Sequence, residues 1–218
     1  MWKYYLFSDF SEESGLSLVE DDFKRDLKDY KKIVFIASNP DIGMVTDKYV
    51  ERYMEWFDRI GINFESKVVL DNRLENRAMV EAIDRASLIY LMGGTTDLQM
   101  KFLLDNDLVK SLREVQCLIM GLSAGAINMA ETSILTVTCE HEKQEIYNGI
   151  GLVDESVEPH FSLDNFSEEL KSLSYDHLIY GMCDESAIII RDDKCNYYGE
   201  IYLLKDGKAE KVSMIWSK

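Results

Sequence analysis

Between residues 32 and 126, runs that are apolar throughout alternate with segments of helical periodicity, and few folds satisfy both patterns. Residues 32–38 (Lys-Ile-Val-Phe-Ile-Ala-Ser) form a β-branched run closed by the turn signal Asn39-Pro40. Residues 45–60 place Tyr49, Tyr53, Met54, Trp56 and Phe57 at helical spacing, and Gly61 ends the pattern. A strand over 64–70 and a helix over 74–85 repeat the unit, with Met79, Val80 and Ile83 on one side of the helix. Residues 87–92 then read as a strand ending in Gly93-Gly94, 97–104 and 108–115 as two short helices, and 117–120 as another strand. Strands with no polar alternation bury both faces, which requires a parallel sheet covered by helices on either side. The predicted fold class is α/β, a three-layer αβα sandwich with a mainly parallel central sheet. Short β-rich runs at 134–137, 179–182, 187–190 and 197–204, interrupted by a helix near 165–173, predict an antiparallel, β-rich C-terminal extension.

No repeat, linker or low-complexity stretch interrupts the pattern, so residues 1–218 are expected to form one domain. Apolar residues make up 46% of the chain, enough for a sizeable core. Asp and Glu outnumber Lys and Arg by 40 to 24, a formal net charge of −16. That field repels polyanions, so no nucleic-acid partner and no acidic membrane surface is expected. The N-terminal apolar run meets Asp9 too early to be a signal peptide. No stretch approaches the roughly 20 apolar residues that span a bilayer. Cys117, Cys139, Cys183 and Cys195 show no C-x-x-C pair and are expected to be reduced. These features predict a cytoplasmic protein.

The chemistry concentrates at 117–129. A buried strand runs straight into Gly121-Leu122-Ser123-Ala124-Gly125-Ala126 and then into a helix, the setting a G-x-S-x-G pattern needs to present a nucleophile. Reversing a strand into a helix around an outward side chain forces that residue into strained geometry, and flanking glycines make room for the turn. The hydroxyl then projects at the carboxyl end of the sheet, where open α/β folds bind ligands. The helix N-terminus behind it supplies unsatisfied N–H groups suited to a developing oxyanion. The bland reading, a turn with an N-cap serine, lacks any need for small residues at Ala124 and Ala126. Residues 91–98, with Gly93-Gly94-Thr95-Thr96, also join a buried strand to a helix, and their N–H groups can face an anion. Alone they would be an ordinary βα turn with Thr96 or Asp97 as the cap.

A nucleophilic serine needs a base. Of His141, His160 and His177, the sequence favours His160, held in Glu158-Pro159-His160-Phe161 where proline stiffens the backbone. His141 lies in a charged run, and His177 follows a helix in a surface turn. His160 follows Ser123 by 37 residues.

The Gly93-Gly94-Thr95-Thr96 loop, the elbow at 121–126 and Pro159-His160-Phe161 together resemble the peptidase E (aspartyl dipeptidase)/cyanophycinase family of serine peptidases, family S51, on a class I glutamine amidotransferase-like fold. The resemblance implies Ser123 as nucleophile, His160 as base, and the N–H groups of Gly94 and Ala124 as the oxyanion hole. It places Gly93 and Thr95 against substrate, although the family usually carries asparagine where Thr95 stands. For the acid that orients the imidazole, the family offers two places. Thr138 occupies one, with Glu140 the nearest carboxylate. The other is the turn after a late strand, where Asp184 and Glu185 lie, and the reading leans to that turn. The implied activity is hydrolysis of short peptides through an acyl-enzyme, with no cofactor and no metal, by a monomer or homodimer whose partner is a small peptide substrate.

Three alternatives share parts of this pattern. An α/β-hydrolase-type esterase has the same elbow but places its histidine near the chain end. A glutamine amidotransferase needs cysteine at the elbow. A catalytically silent, glutamine amidotransferase-like binding protein could retain the elbow by descent. A metal enzyme is disfavoured because Cys139-Glu140-His141 has no second ligand pair at useful spacing. Within the peptidase reading, no arginine or lysine follows His160 before Lys171, so the chain is expected to show little or no preference for N-terminal aspartate. Arg73, Arg77 and Arg191 are the loop-like basic candidates.

Overall fold

The N-terminal apolar run forms β1 (Lys3–Phe7), and the main sheet is built outward from it on both sides. The computed structural model describes residues 2–137, 142–192 and 194–212. Toward one edge, β1 pairs in parallel with β5 (Leu118–Leu122), which continues in parallel through β4 (Leu88–Leu91) and β2 (Lys32–Ile36) to β3 (Ser66–Leu70). Toward the other edge, β10 (Ala187–Arg191) and β11 (Lys194–Tyr198) add antiparallel strands. The order β11-β10-β1-β5-β4-β2-β3 is thus a mainly parallel sheet with part of the C-terminal extension zipped onto it.

Side chains alternate across each strand, and the two sheet faces carry separate cores. Tyr5 and Phe7 point to the face covered by α1 (Glu20–Asp26) and α2 (Gly43–Arg59), against Phe23, Tyr53 and Phe57. Tyr4 and Leu6 point to the face covered by α3 (Asn76–Asp84), α4 (Thr96–Asp105), α5 (Leu108–Glu114) and α6 (Ala124–Met129). This is the three-layer arrangement expected. The remaining strands make two smaller sheets. One pairs β6 (Thr132–Leu135) with β7 (Glu145–Asn148); the other has the order β13-β12-β9-β8, from β8 (Ser156–Glu158), β9 (Ile179–Met182), β12 (Ile201–Lys205) and β13 (Lys208–Lys211).

Three sequence expectations shift. The run 197–204 is two strands, because Gly199 turns the chain at φ +75°, where a β-carbon would collide with the Glu185 carbonyl oxygen. The helix expected near 165–173 is α7 (Glu168–Asp176), started by Ser167, whose hydroxyl accepts the Leu170 N–H at 3.1 Å. The helix α1 has no counterpart in the sequence reading; three acidic residues in its first turn suit the positive end of its dipole. Among the described residues, no helix is long and apolar enough to cross a membrane.

One buried ionic network ties the ends of the chain together. Arg191 on β10 donates to Asp26 Oδ2 at 2.5 Å and to Asp22 Oδ1 at 2.6 Å, and Tyr5 donates to Asp26 Oδ2 at 2.6 Å. Burial alone would push the Asp26 carboxyl up, but the hydrogen bonds from Tyr5 and Arg191 and the charges of Arg191 and Lys3 hold it below the ordinary value. Replacing Arg191 by methionine would remove the cation shared by two buried carboxylates, leaving Asp22 with Arg25 and Asp26 with Lys3 and Arg25. Urea denaturation of Arg191→Met is expected to show a loss of roughly 3 kcal/mol at neutral pH, the low end for breaking a buried pair because Arg191 keeps some exposure. The depressed pKa of Asp26 fixes the sign: the deficit is fully present above the ordinary carboxylate pKa and closes as pH falls through the lower folded value.

Candidate active site

The elbow is a packing necessity before it is a chemical one. A β-carbon on residue 125 would sit 2.2 Å from the Leu91 carbonyl oxygen, and one on residue 121 would sit 2.5 Å from the Gly125 carbonyl carbon. Only glycine fits at both positions. Between them Ser123 is held at φ 47°, ψ −108°, outside the favoured regions for an L-residue, with its N–H donated to the Phe7 carbonyl of β1 at 2.9 Å. The backbone is thereby locked while the hydroxyl projects from the carboxyl end of β5.

Because β4 and β5 are neighbours, the Gly93-Gly94 loop emerges beside the elbow. Gly94 takes φ +131°, and a β-carbon there would lie 2.3 Å from Ser38 Oγ. Thr95 occupies the N-cap position of α4 with no capping hydrogen bond from its side chain, and Gly93, Gly94 and Thr95 all line the cleft next to Ser123. Thr95, rather than Thr96 or Asp97, is thus the residue at the helix entrance. Ala124 is the first residue of α6, so its N–H has no acceptor within the helix.

His160 comes from the second sheet. β8 ends at Glu158, and His160 turns at φ 56°, a left-handed conformation rather than a continuation of the extended chain. It is clamped from both sides. Its N–H donates to Ser8 Oγ at 2.7 Å, and the Phe161 N–H donates to the Met182 carbonyl at 3.0 Å. The Phe161 ring fills the space a side chain on residue 181 would occupy. Held this way, His160 Nε2 lies 3.0 Å from Ser123 Oγ, and Nδ1 lies 2.8 Å from Asp184 Oδ1.

Of the two carboxylates in the turn between β9 and β10, Asp184 faces the imidazole. Glu185 turns away at φ 58°; its N–H goes to the Asp9 carbonyl at 2.7 Å and its carboxylate accepts from Ser14 Oγ at 3.0 Å. Glu140, Cys139 and His141 lie outside the described residues, as does Thr138. His177 caps the far end of α7 and does not line the cleft.

The sequence reading missed Ser8. It is fully buried at the carboxyl end of β1, accepts the His160 N–H, and has its own hydroxyl 3.2 Å from Asp184 Oδ1. Since its oxygen accepts from the backbone, its proton is available to the carboxylate, so one side chain orients both the acid and the histidine backbone. The signal was the run Tyr4–Phe7, which reads as a buried strand once it is not dismissed as a failed leader. Two residues before His160, burial pushes the Glu158 carboxyl up to about 7, against the pull of a hydrogen bond from Thr136 Oγ1 at 2.8 Å.

The basic candidates do not converge here. Arg73 is spent on Asp47 and the buried Asp71, Arg191 on Asp22 and Asp26, and Arg77 does not line the cleft. The cleft has a volume of about 470 Å³, and the arginine on its wall is Arg52, paired with Glu12 at 2.9 Å.

A sequence profile of peptidase family S51 matches residues 6–198. No curated protein matches the chain. Among solved structures, the fold is similar to that of a peptidase from an acI-B1 Actinobacterium, with a TM-score of 0.75 at 18% identity over 99% of this chain and 95% of that one. It is also similar to a putative peptidase E protein from Listeria monocytogenes EGD-e, with a TM-score of 0.65 at 23% identity over 90% of this chain and 98% of that one. Matched along most of its length, the chain belongs to peptidase family S51 and is a serine peptidase.

Proposed function

We propose that the chain hydrolyses short peptides through an acyl-enzyme formed on Ser123. The observation that carries this reading is the unbroken line from Ser123 Oγ through the His160 ring to Asp184, at 3.0 and 2.8 Å. Neutral His160, with its proton on Nδ1 and donated to Asp184, leaves Nε2 to accept the serine proton as Oγ attacks the scissile carbonyl. The tetrahedral oxyanion is received by the N–H groups of Gly94 and Ala124. Nε2 then returns the proton to the leaving amine as the C–N bond breaks. Water enters, gives its proton to the same nitrogen and releases the acid, and the serine regains its proton. Asp184 stabilises the imidazolium in both halves, and each oxyanion donor would contribute roughly 2.7–4 kcal/mol at the transition state. Ser8 is a positioning residue.

A fluorophosphonate probe separates this reading from a silent binding protein. Wild type is expected to label at Ser123, with labelling abolished in Ser123→Ala and kcat for peptides lowered by at least about a thousandfold in Ser123→Ala and His160→Ala. A folded wild-type protein that neither labels nor hydrolyses any peptide would overturn it.

The acid is tested by the pair Asp184→Asn and Glu185→Gln. The first is expected to lower kcat by about a hundredfold or more, less than a buried triad aspartate because Asp184 is largely exposed, and the second to change it by less than about threefold. Equal effects would return the role to the whole turn.

Aspartyl preference is not supported by the cleft, where Asp9 and Glu12 outnumber Arg52. The kcat/KM for Asp-Leu is expected not to exceed that for Ala-Leu, and an Asp-Leu value far above it would refute this.

A further inference from the structure

Hydrolysis leaves one wall of the cleft without a role. From Ser123 the cleft extends along a single face of α2 and its entrance, where Ile42, Val45 and Tyr49 remain 44%, 44% and 47% exposed, backed by Tyr53 and Trp56. These residues recur at helical spacing, so the wall is one apolar stripe of the kind a helix normally buries. It is left open over the cavity that holds the nucleophile.

At the inner end of that wall lies Asp9, two residues beyond the β1 carbonyl that holds the Ser123 N–H. Its Oδ1 accepts the Phe10 N–H at 2.8 Å, which orients the carboxylate, and no lysine or arginine pairs with it among the described residues. Its charge reaches the Tyr53 hydroxyl, which burial first and Asp9 second push up to about 12. Glu12, the other acid on the wall, is neutralised by Arg52. The Arg52 guanidinium also lies 5.6 Å from the centre of the Tyr49 ring, so this aromatic surface already receives one cation from the chain itself.

Each class of side chain fares differently in such a space. An acidic residue is repelled by Asp9. A purely apolar one covers the wall but desolvates the carboxylate without replacing its water. A long aliphatic stem ending in a cation satisfies both parts, with methylenes on the α2 stripe and the head group on the carboxylate. Resting on the serine-peptidase reading, we infer that this cleft is a specificity subsite for a lysine or arginine side chain of the peptide, next to the scissile bond, with Asp9 as the partner of its cation. An α-ammonium group alone would use the carboxylate but leave the apolar wall empty.

The test compares dipeptides and their N-acetylated forms in which lysine, arginine, norleucine or glutamate occupies one position and leucine the other, in both orders. In wild type, lysine or arginine is expected to exceed norleucine in kcat/KM by roughly tenfold or more at one position, with glutamate lowest, and acetylation leaves that order unchanged. Raising ionic strength is expected to shrink the lysine-to-norleucine ratio, a readout that needs no variant. In Asp9→Asn the ratio is expected to fall to within about threefold, carried by KM. Norleucine matching lysine at both positions, or a ratio that survives Asp9→Asn, would overturn the subsite while fluorophosphonate labelling keeps the catalytic reading intact. A preference that vanishes on acetylation would assign Asp9 to the free amino terminus and also overturn it. Absence of both labelling and hydrolysis would remove the catalytic reading, and the subsite with it.

Discussion

The Leu91 carbonyl of β4 lies where a side chain on residue 125 would have to go, and much of the site follows from that contact. It brings the start of α6 down onto the β4–β5 edge, which is possible only with glycine at 125 and, four residues earlier on β5, at 121. With the helix so close, the chain between strand and helix has no room to relax, and Ser123 is driven to positive φ. The same closeness sets the Gly93-Gly94 loop beside the elbow, since that loop leaves the sheet directly after Leu91. The Ser123 elbow and the glycine loop are therefore consequences of one packing distance, and the sheet register transmits it.

Backbone strain follows the same geography. Six described non-glycine residues have positive φ: Asp107, Ser123, His160, Glu185, Asp192 and Asp206. The aspartates at 107, 192 and 206 are of a residue type that adopts this region readily in turns. Ser123 and Glu185 are not in that class, and together with His160 they supply the hydroxyl, the imidazole and the turn that carries Asp184. Each such residue costs on the order of 1–3 kcal/mol and persists only where its surroundings over-determine it. Those surroundings are visible: Phe7 holds Ser123, Ser8 and the packing of Phe161 hold His160, and the Asp9 carbonyl holds Glu185. Residues 7, 8 and 9 of one strand end thus restrain all three.

That strand end is also where the sequence was least readable. The fold class, the elbow and the favoured histidine rest on local patterns: apolar runs, helical spacing, paired glycines and a proline. Such patterns survive in a single sequence because the chemistry behind them acts within a few residues. The run Tyr4–Phe7 marks a strand, but nothing local marks the roles of Ser8 and Asp9 just beyond it. Their significance comes from pairings at a separation of more than a hundred residues, of Ser8 with His160 and Asp184 and of the Asp9 carbonyl with Glu185, which no window along the chain contains. The choice between Asp184 and Glu185 had the same limit. Adjacent carboxylates in a turn point apart, and which one faces the histidine depends on the antiparallel pairing of β10 with β1. The break at Gly199 was equally non-local, set by contact with the Glu185 carbonyl.

The acidic balance of the chain sharpens the electrostatic reading of the cleft. With carboxylates in large excess, cations are drawn to the most buried acids, where an unpaired charge would cost most. Arg191 goes to Asp22 and Asp26, and Arg73 goes to Asp71, which is fully buried. Both were sequence candidates for holding a substrate carboxylate, and both are consumed by the fold before they can reach a ligand. Among the described residues, what remains around Ser123 is a wall whose one guanidinium, Arg52, is matched by Glu12 and whose carboxylate at Asp9 is paired with no lysine or arginine. An active site inherits the charges that stability does not require elsewhere, and in this chain that residue is negative.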